Sequence, residues 1–501
     1  MPTFVDPLLR AIQVAPERTA IIFEDKRFTY RQLWCRCRRL ASMLKEKGVE
    51  PGDRVAILAA NCSQYIEAYT AVPAAGFVIV PLNTRHAEPE LKYALEDAGA
   101  KILLTDRDPG ALSELVESVI MIPDEYESLL DGAEEAELGL GVTEETLAGL
   151  FYTGGTTGIS KGVMLSHRNL IGNTFHFMTA SPPDPDNIFL IMAPLFHAAG
   201  SNGVLGGIWS GSCQIPLKVF DPAVALDLIA EHRVTHTLGV PAMVAAVAEV
   251  QLKAPRDTSS VQMVAHGGSP IPTEVVRRAS QAFPNAEFVE VYGATETGPL
   301  LTSLRHEEKL LDVKRGQSCG QALIGVQLKI VGTDGIDVAQ GEVGEVVARG
   351  ANIMLGYWKK PEQTAEVLQD GWYRTGDLGR LDEEGYLFLV DRAKDMIVSG
   401  GENVYCSEVE EALYKHPAVL EAAVFGIPDE QWGEAVHAVI VPRETVTQEE
   451  LIETCREYIA GYKIPKSISF SEAELPKSGP GKILKRELRA PFWEGRDSQV
   501  N

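Results

Sequence analysis

The chain of 501 residues, 45% hydrophobic and 23% charged, is too long for one core and has the composition of an ordinary globular protein of roughly two to four domains. Its 70 acidic residues outnumber 46 basic ones, and the net charge of −24 argues against a nucleic-acid partner and requires any anion site to be assembled locally. Seven scattered cysteines with no C-x-x-C pair imply reduced thiols, no structural zinc and a cytoplasmic home, while the N-terminus lacks a signal-peptide pattern and no apolar stretch is long enough to span a bilayer.

In chain order, Thr29-x-x-Gln32 reads as a capping box, followed by Leu33, Cys37, Leu40 and Leu44 at helical spacing up to Gly48. Arg54 to Ala59, Phe77 to Pro81 and Lys101 to Thr105 are short apolar runs between turns and read as buried strands of a largely parallel sheet. The acidic piece Asp131 to Glu137 reads as a surface loop. Leu150 and Phe151 end a strand, and Tyr152-Thr153-Gly154-Gly155-Thr156-Thr157-Gly158-Ile159-Ser160-Lys161-Gly162 follows. Glycines let the backbone approach a bulky anion, threonine hydroxyls add donors and Lys161 adds a point charge, so this is a phosphate-handling loop. It is neither a Walker A loop, since no Ser or Thr follows the lysine, nor a Rossmann glycine fingerprint. His167 is expected to be structural, capping the helix after the loop.

Beyond Gly316, glycines punctuate short Val/Ile/Leu runs such as Val326 to Val331 and Gly344 to Ala348, the texture of antiparallel β structure. A domain boundary is expected near Asp391 to Asp395. Ser407-x-x-Glu410 and Thr447-x-x-Glu450 read as helix starts, with Ala422 to Phe425 and Ala438 to Val441 as strands. Near the end, Lys463, Lys466, Lys477, Lys482, Lys485, Arg486 and Arg489 form a basic run in an acidic chain, a local answer to the anion problem. Lys485 and Arg489 taken singly read as a solvated helix face.

Five further clusters join the phosphate loop: Pro194-Leu195-Phe196-His197; Tyr292-Gly293-Ala294-Thr295-Glu296; Tyr373-Arg374-Thr375-Gly376-Asp377; Asp391-Arg392-Ala393-Lys394-Asp395 leading into Ser399-Gly400-Gly401; and Pro476-Lys477-Ser478-Gly479-Pro480-Gly481-Lys482. Together, over about Thr29 to Arg489, they resemble the adenylate-forming superfamily of acyl-CoA synthetases, nonribosomal-peptide adenylation domains and luciferases. Gly154 and Ser160 depart from the serine and proline the family often carries there.

The resemblance implies an α/β fold: a large N-terminal AMP-binding domain, residues 1–392, made of two α/β subdomains plus a β-barrel-like subdomain, then a small, mobile α+β C-terminal domain, residues 393–501, with a hinge near Lys394. It implies ATP, Mg²⁺ and CoA as co-substrates and cofactor. A carboxylate attacks the α-phosphorus to give an acyl-adenylate, and a thiol then displaces AMP. Thr153, Gly154, Gly155, Thr156, Thr157, Gly158 and Lys161 would cradle phosphates, with Gly268, Ser269, Tyr292 and Gly293 around the nucleotide. Tyr292 would stack on adenine, Thr295 contact the α-phosphate, Glu296 hold magnesium, and Asp377 and Arg392 bind the ribose. Lys482 would bridge the substrate carboxylate and the α-phosphate. His197 would stand between acyl pocket and thiol tunnel. Ser399, Gly400, Gly401 and Trp432 would line the CoA tunnel, although a core tryptophan is an equal reading of Trp432.

The acyl pocket would include His197, Ala198, Gly200, Ser201 and Val240. Small residues there leave room, so a medium- or long-chain fatty acid or an aryl acid is expected. Val291 stands where malonate-type relatives carry an arginine, which disfavours a dicarboxylate. The alternatives are an acyl-carrier-protein ligase, a stand-alone adenylation enzyme and a non-catalytic acyl or nucleotide sensor. A homodimer and peripheral membrane contact are both compatible with the sequence.

Overall fold

The computed structural model describes residues 1–153, 160–180, 182–269, 271, 273–306, 314–392, 395–399, 402–429, 432–477 and 483–493, with the side chains of 180, 201, 202, 306, 314 and 392 outside that set. The chain divides into two compact units, Met1–Gln327 with Ala348–Tyr373, and Leu328–Val347 with Arg374–Asn501.

The first unit holds two sheets. In the seven-stranded one the order is Gly356–Tyr357, Lys161–Ser166, Leu147–Thr153, Val78–Pro81, Arg54–Leu58, Ala100–Thr105, Ser118–Met121. Val55 lies opposite Ile79 on one side and Ile102 on the other, both in parallel pairing. Helices cover both faces of such a sheet, which is why these strands are continuous apolar runs with no polar alternation. The expected strands are therefore present, and the buried helix Ser63–Ala74 runs just ahead of the strand Val78–Pro81.

The nine-stranded sheet runs Gln321–Ala322, Thr302–His306, Glu287–Tyr292, Met263–Gly267, His236–Gly239, Ile188–Ile191, Cys213–Pro216, Thr19–Phe23, Lys26–Thr29. The stretch from Glu287–Tyr292 to Thr19–Phe23 is parallel throughout. Its core gathers Leu190, Ile215, Leu226, Ile229, Val264 and Phe288.

Helix Tyr30–Glu46 begins as its sequence predicts. Gln32 N–H donates to Thr29 Oγ1 at 3.2 Å, and Thr29 N–H donates to Gln32 Oε1 at 2.8 Å. Leu33, Cys37, Leu40 and Leu44 form its buried face, each aliphatic side chain contributing about 1.5–3 kcal/mol of burial. The helix Gln448–Tyr458 of the second unit opens with the same device at Thr447 and Glu450.

One helix-start expectation is corrected. His167 does not cap helix His167–Ala180. Ser166 and Asn169 do, through Asn169 N–H to Ser166 Oγ at 3.3 Å and Ser166 N–H to Asn169 Oδ1 at 2.8 Å. The fully buried His167 ring instead accepts the Phe4 backbone N–H on Nδ1 at 3.1 Å. A helix, Cys406–Tyr414, does begin where Ser407-x-x-Glu410 predicts one, although the two residues form no capping box. Ser407 Oγ donates to Val390 O, and Glu410 is drawn inward to accept from Val424 N–H at 2.8 Å and from Lys485.

A five-stranded sheet is built from Gln327–Val331, Gly344–Arg349, Trp372–Leu381, Leu368–Gln369 and Leu387–Arg392, the β texture expected beyond Gly316. The second unit also contains a five-stranded sheet of Glu402–Val404, Ile397–Ser399, Gly433–Pro442, Val419–Asp429 and Ser467–Phe470. Helices Cys406–Tyr414 and Gln448–Tyr458 pack on it around Val409, Leu413, Val424, Val436, Ile440 and Leu451. Among the described residues no helix is long and apolar enough to cross a membrane.

Candidate active site

Ligands of open parallel sheets bind beyond the carboxyl ends of the strands. In the nine-stranded sheet those ends deliver two of the sequence clusters and three further candidate residues. Ile188–Ile191 leads into Pro194–His197, His236–Gly239 into Val240, Met263–Gly267 into Gly268 and Ser269, and Glu287–Tyr292 into Gly293–Glu296.

Backbone contacts fix the last of these. A Cβ on Gly293 would lie 1.8 Å from Pro299 O, so only glycine permits that approach. Thr297, fully buried, donates through Oγ1 to Pro299 O and accepts from Ala294 N–H, both at 2.9 Å. Asn352, also fully buried, donates through Nδ2 to Thr297 O at 2.7 Å and Leu300 O at 2.8 Å. The result is a rigid turn that leaves Tyr292, Thr295 and Glu296 half-buried. Thr297 and Asn352 escape a reading of the sequence because their side chains bond to backbone atoms, which carry no sequence signal; Asn352 is remote in the chain, though its partners are close in space.

The phosphate loop joins the antiparallel strands Leu147–Thr153 and Lys161–Ser166, with Thr153 opposite Lys161. Gly154, Gly155, Thr156, Thr157 and Gly158 lie outside the described residues. At its base, Tyr152 donates to Asp97 Oδ2 at 2.7 Å, and Trp358 Nε1 donates to Asp97 O at 2.9 Å. A Cβ on Gly162 would press on Tyr152 and Trp358 at 3.2 and 3.3 Å.

Two sequence clusters meet through a residue that belongs to neither. Tyr357 Oη donates to Glu296 Oε1 at 2.9 Å, and Lys161 Nζ lies 4.8 Å from the centroid of the same ring. Tyr357 is held opposite Val163, and Met354 N–H donates to Glu296 O at 2.9 Å. Burial, reinforced by the Glu296 charge, raises the phenol's pKa, so Tyr357 stays protonated and donates. Among the described residues no group of three or more His, Cys, Asp or Glu is placed to hold a metal ion.

His197 is the residue before helix Ala198–Ser210, its ring 4.4 Å from that of Phe196. The segment before it is pinned by buried Asn61, which accepts Leu195 N–H at 2.8 Å and donates to Ala193 O at 3.0 Å. Burial, with Arg85 and His86 nearby, pushes the His197 pKa down to about 4, so the ring is neutral near pH 7. At two positions after His197 the space is taken by the chain itself: a Cβ on Gly200 would lie 2.2 Å from Pro194 O, and one on Gly203 would lie 3.1 Å from the Phe189 ring. Ala198 is buried, and the Ser201 side chain lies outside the described set. Gly268 has φ +87°, and a Cβ there would meet only Val240 Cγ1 at 3.8 Å. His266 is fully buried on strand Met263–Gly267, opposite Glu290.

In the second unit, Asp377 stands opposite Arg392 across an antiparallel pair and is 8% exposed. The Arg392 side chain, Lys394, Gly400, Gly401 and Lys482 lie outside the described residues. Ser399 is buried, and Trp432 is 44% exposed, so Trp432 is not a core residue. The segment 478–482 is bracketed by a bridge between Lys477 and Ile483 and by Leu484 N–H to Pro476 O at 2.7 Å.

The basic run is corrected in one respect. Lys463 pairs with Glu408, Lys477 with Glu421 and Glu474, and Lys485 with Glu410 at 2.7 Å. Burial draws the Lys485 ammonium down, but Glu410, Cys406 and Asp391 outweigh it and its pKa is raised. These cations are neutralised inside the unit, and Lys485 is not on a solvated helix face.

The AMP-binding enzyme family matches residues 8–358, and the AMP-binding enzyme C-terminal domain matches residues 408–482. The chain is 39% identical over 488 residues to a feruloyl-CoA synthase of Amycolatopsis sp, covering 97% of this chain and 98% of that one. It is 33% identical to the long-chain-fatty-acid–CoA ligase FadD13 of Mycobacterium tuberculosis, covering 93% and 94%. The structure of o-succinylbenzoate CoA synthetase from Bacillus subtilis with its acyl-adenylate intermediate superposes with a TM-score of 0.87 at 31% identity, covering 100% of this chain and 99% of that one. With both family matches in place and relatives at 33–39% identity over nearly the whole chain, the chain belongs to the AMP-binding, adenylate-forming family of acid–thiol ligases.

Proposed function

We infer that the protein is an ATP-dependent acyl-CoA synthetase. A carboxylate oxygen of the acid attacks the α-phosphorus of ATP, and pyrophosphate leaves. The CoA thiolate then attacks the acyl carbonyl, and AMP leaves. The observation that carries this reading is the convergence of Lys161, Tyr357 and Glu296 beside the base of the phosphate loop. It sets a cation and a carboxylate side by side, as a triphosphate with its counter-ion requires.

Within this reading Thr153, Gly154, Gly155, Thr156, Thr157, Gly158 and Lys161 hold phosphate oxygens, and Thr295 donates to the α-phosphate. Gly268, Ser269, Tyr292 and Gly293 border the adenine, and Asp377 and Arg392 hold the ribose. Glu296 holds magnesium, which when bound withdraws charge from the phosphate oxygens. Lys482 stabilises the charge that develops between carboxylate and phosphate. The neutral ring of His197 stands at the acyl pocket with Ala198, Gly200, Ser201 and Val240. Ser399, Gly400, Gly401 and the exposed Trp432 receive the pantetheine arm. Residues 1–392 and 393–501 act as separate bodies turning at Lys394, so one site serves both half-reactions. Dependence on ATP and CoA is in keeping with a cytoplasmic location.

The acid is a monocarboxylate with an aryl or extended acyl body. The aryl branch is supported by the 39% identity to a feruloyl-CoA synthase. A second reading replaces CoA with a carrier protein, since a fatty acid–[acyl-carrier-protein] ligase of Streptomyces coeruleorubidus is 34% identical over 511 residues.

The test is pyrophosphate release with ATP and Mg²⁺ across hydroxycinnamic, fatty and dicarboxylic acids, with and without CoA. Release with an aryl acid, and a CoA thioester only when CoA is present, is expected. Release without any CoA thioester supports the carrier-protein reading. No release with any acid overturns both.

A further inference from the structure

Asp377 is aimed by a turn that one distant carboxylate holds from two sides. Glu345 lies on strand Gly344–Arg349, and its side chain is 17% exposed. Its Oε2 accepts the Arg374 guanidinium, and its Oε1 accepts Gly376 N–H at 3.1 Å. The next residue of the same strand takes up the residue between them, since Thr375 Oγ1 donates to Val346 O at 2.8 Å. Thr375 Oγ1 in turn accepts Asp377 N–H at 3.1 Å. Gly376 has φ +72° inside strand Trp372–Leu381, a kink that re-aims the residue after it. Nothing lies within 4 Å of where a Gly376 Cβ would be, so the backbone conformation and not crowding calls for glycine.

A positive-φ kink in a strand needs its backbone N–H satisfied by something other than the ladder. A carboxylate that also binds the guanidinium two residues earlier fixes the kink at both ends, because both bonds are charge-assisted. We propose that Glu345 is a positioning residue for nucleotide recognition: by holding Arg374 and Gly376 it sets the direction of the Asp377 carboxylate and so the enzyme's preference for a nucleotide carrying both ribose hydroxyls. This rests on the reading of Asp377 as the ribose ligand. Glu345 touches no substrate and acts through the turn.

The experiment compares ATP with 2′-deoxyATP and 3′-deoxyATP in the full-length enzyme, following pyrophosphate release with saturating acid. E345Q keeps an acceptor for Gly376 but loses the ion pair, and E345A loses both. E345A is expected to raise KM for ATP about tenfold with a much smaller change in kcat. It should also lower the kcat/KM preference for ATP over the deoxynucleotides about tenfold, with E345Q between it and wild type. Asp377→Asn is the internal reference and should lose the preference outright.

If Asp377→Asn keeps the wild-type preference, the ribose reading of Asp377 fails. If Asp377→Asn loses it while both Glu345 variants keep it, the positioning role fails. A fall in kcat that is equal for all three nucleotides also overturns the proposal, since a general structural role predicts that. Should E345A not fold, the isosteric E345Q and Arg374→Gln, which leaves the Gly376 bond in place, give the same readout.

Discussion

Tyr357 donates its phenolic hydrogen to Glu296 Oε1 at 2.9 Å while its ring faces Lys161 Nζ at 4.8 Å. One aromatic side chain thus contacts a cation with its ring and a carboxylate with its hydroxyl, and so sets the spacing within the trio.

Tyr357→Phe tests that spacing. The ring and its face toward Lys161 remain, and only the bond to Glu296 is lost. A hydrogen bond to a charged group contributes about 1.5–3 kcal/mol. The Mg²⁺ concentration for half-maximal pyrophosphate release should rise roughly tenfold, with less effect on KM for the acid. An unchanged Mg²⁺ requirement would separate Tyr357 from the cation site.

Lys482→Ala should depress acyl-adenylate formation by at least about two orders of magnitude, the usual scale for removing a group that stabilises transition-state charge. Thioester formation from chemically prepared acyl-adenylate and CoA should continue near the wild-type rate. Equal loss of both half-reactions would count against a role confined to adenylation.

Lys485→Met addresses the half-buried pair with Glu410. Removing one member strands a carboxylate whose burial already raises its pKa. The cost should be about 3 kcal/mol, read as a lower denaturant midpoint of the full chain. Replacing both partners with apolar residues of similar size should recover most of it. A midpoint within about 0.5 kcal/mol of wild type for the single variant would show the pair to be solvated.

Three buried histidines and the half-buried His197 set an acid limit on stability. Burial pushes His167, His176, His197 and His236 down to about 4 from an ordinary 6.5. The unfolded chain then binds protons that the folded one refuses, so stability rises with pH between about 4 and 6.5. Their contribution is fully present above pH 6.5 and is lost progressively as pH falls toward 4. Roughly 2 kcal/mol per histidine is at stake at pH 5. Denaturant midpoints at pH 7, 6 and 5 should fall steeply between the last two, and a flat profile would show that the rings already carry their protons when folded.

Much of the architecture was legible in the chain because its signals are local. The capping boxes at Thr29 and Thr447, the apolar runs at Arg54–Leu58 and Val78–Pro81 and the glycine-rich loop each depend on neighbours within a few residues. At Ser407 and Glu410 the helix starts as the local signal predicts, but a long-range demand replaced the capping bonds. Glu410 was needed to meet Lys485, and its carboxylate turned inward.

The sequence by itself determined that this chain builds a parallel α/β body with a phosphate loop and a family-specific order of motifs, because backbone propensity, apolar spacing and motif order are written along the chain. Only the tertiary structure decided that Tyr357 joins Lys161 to Glu296, that Asn352 and Asn61 pin the turns leading to Glu296 and His197, and that three lysines of the basic run are already neutralised. Those relationships arise from side chains distant in sequence meeting as the sheets pack, and each is fixed by a hydrogen bond or ion pair that has no counterpart in local spacing.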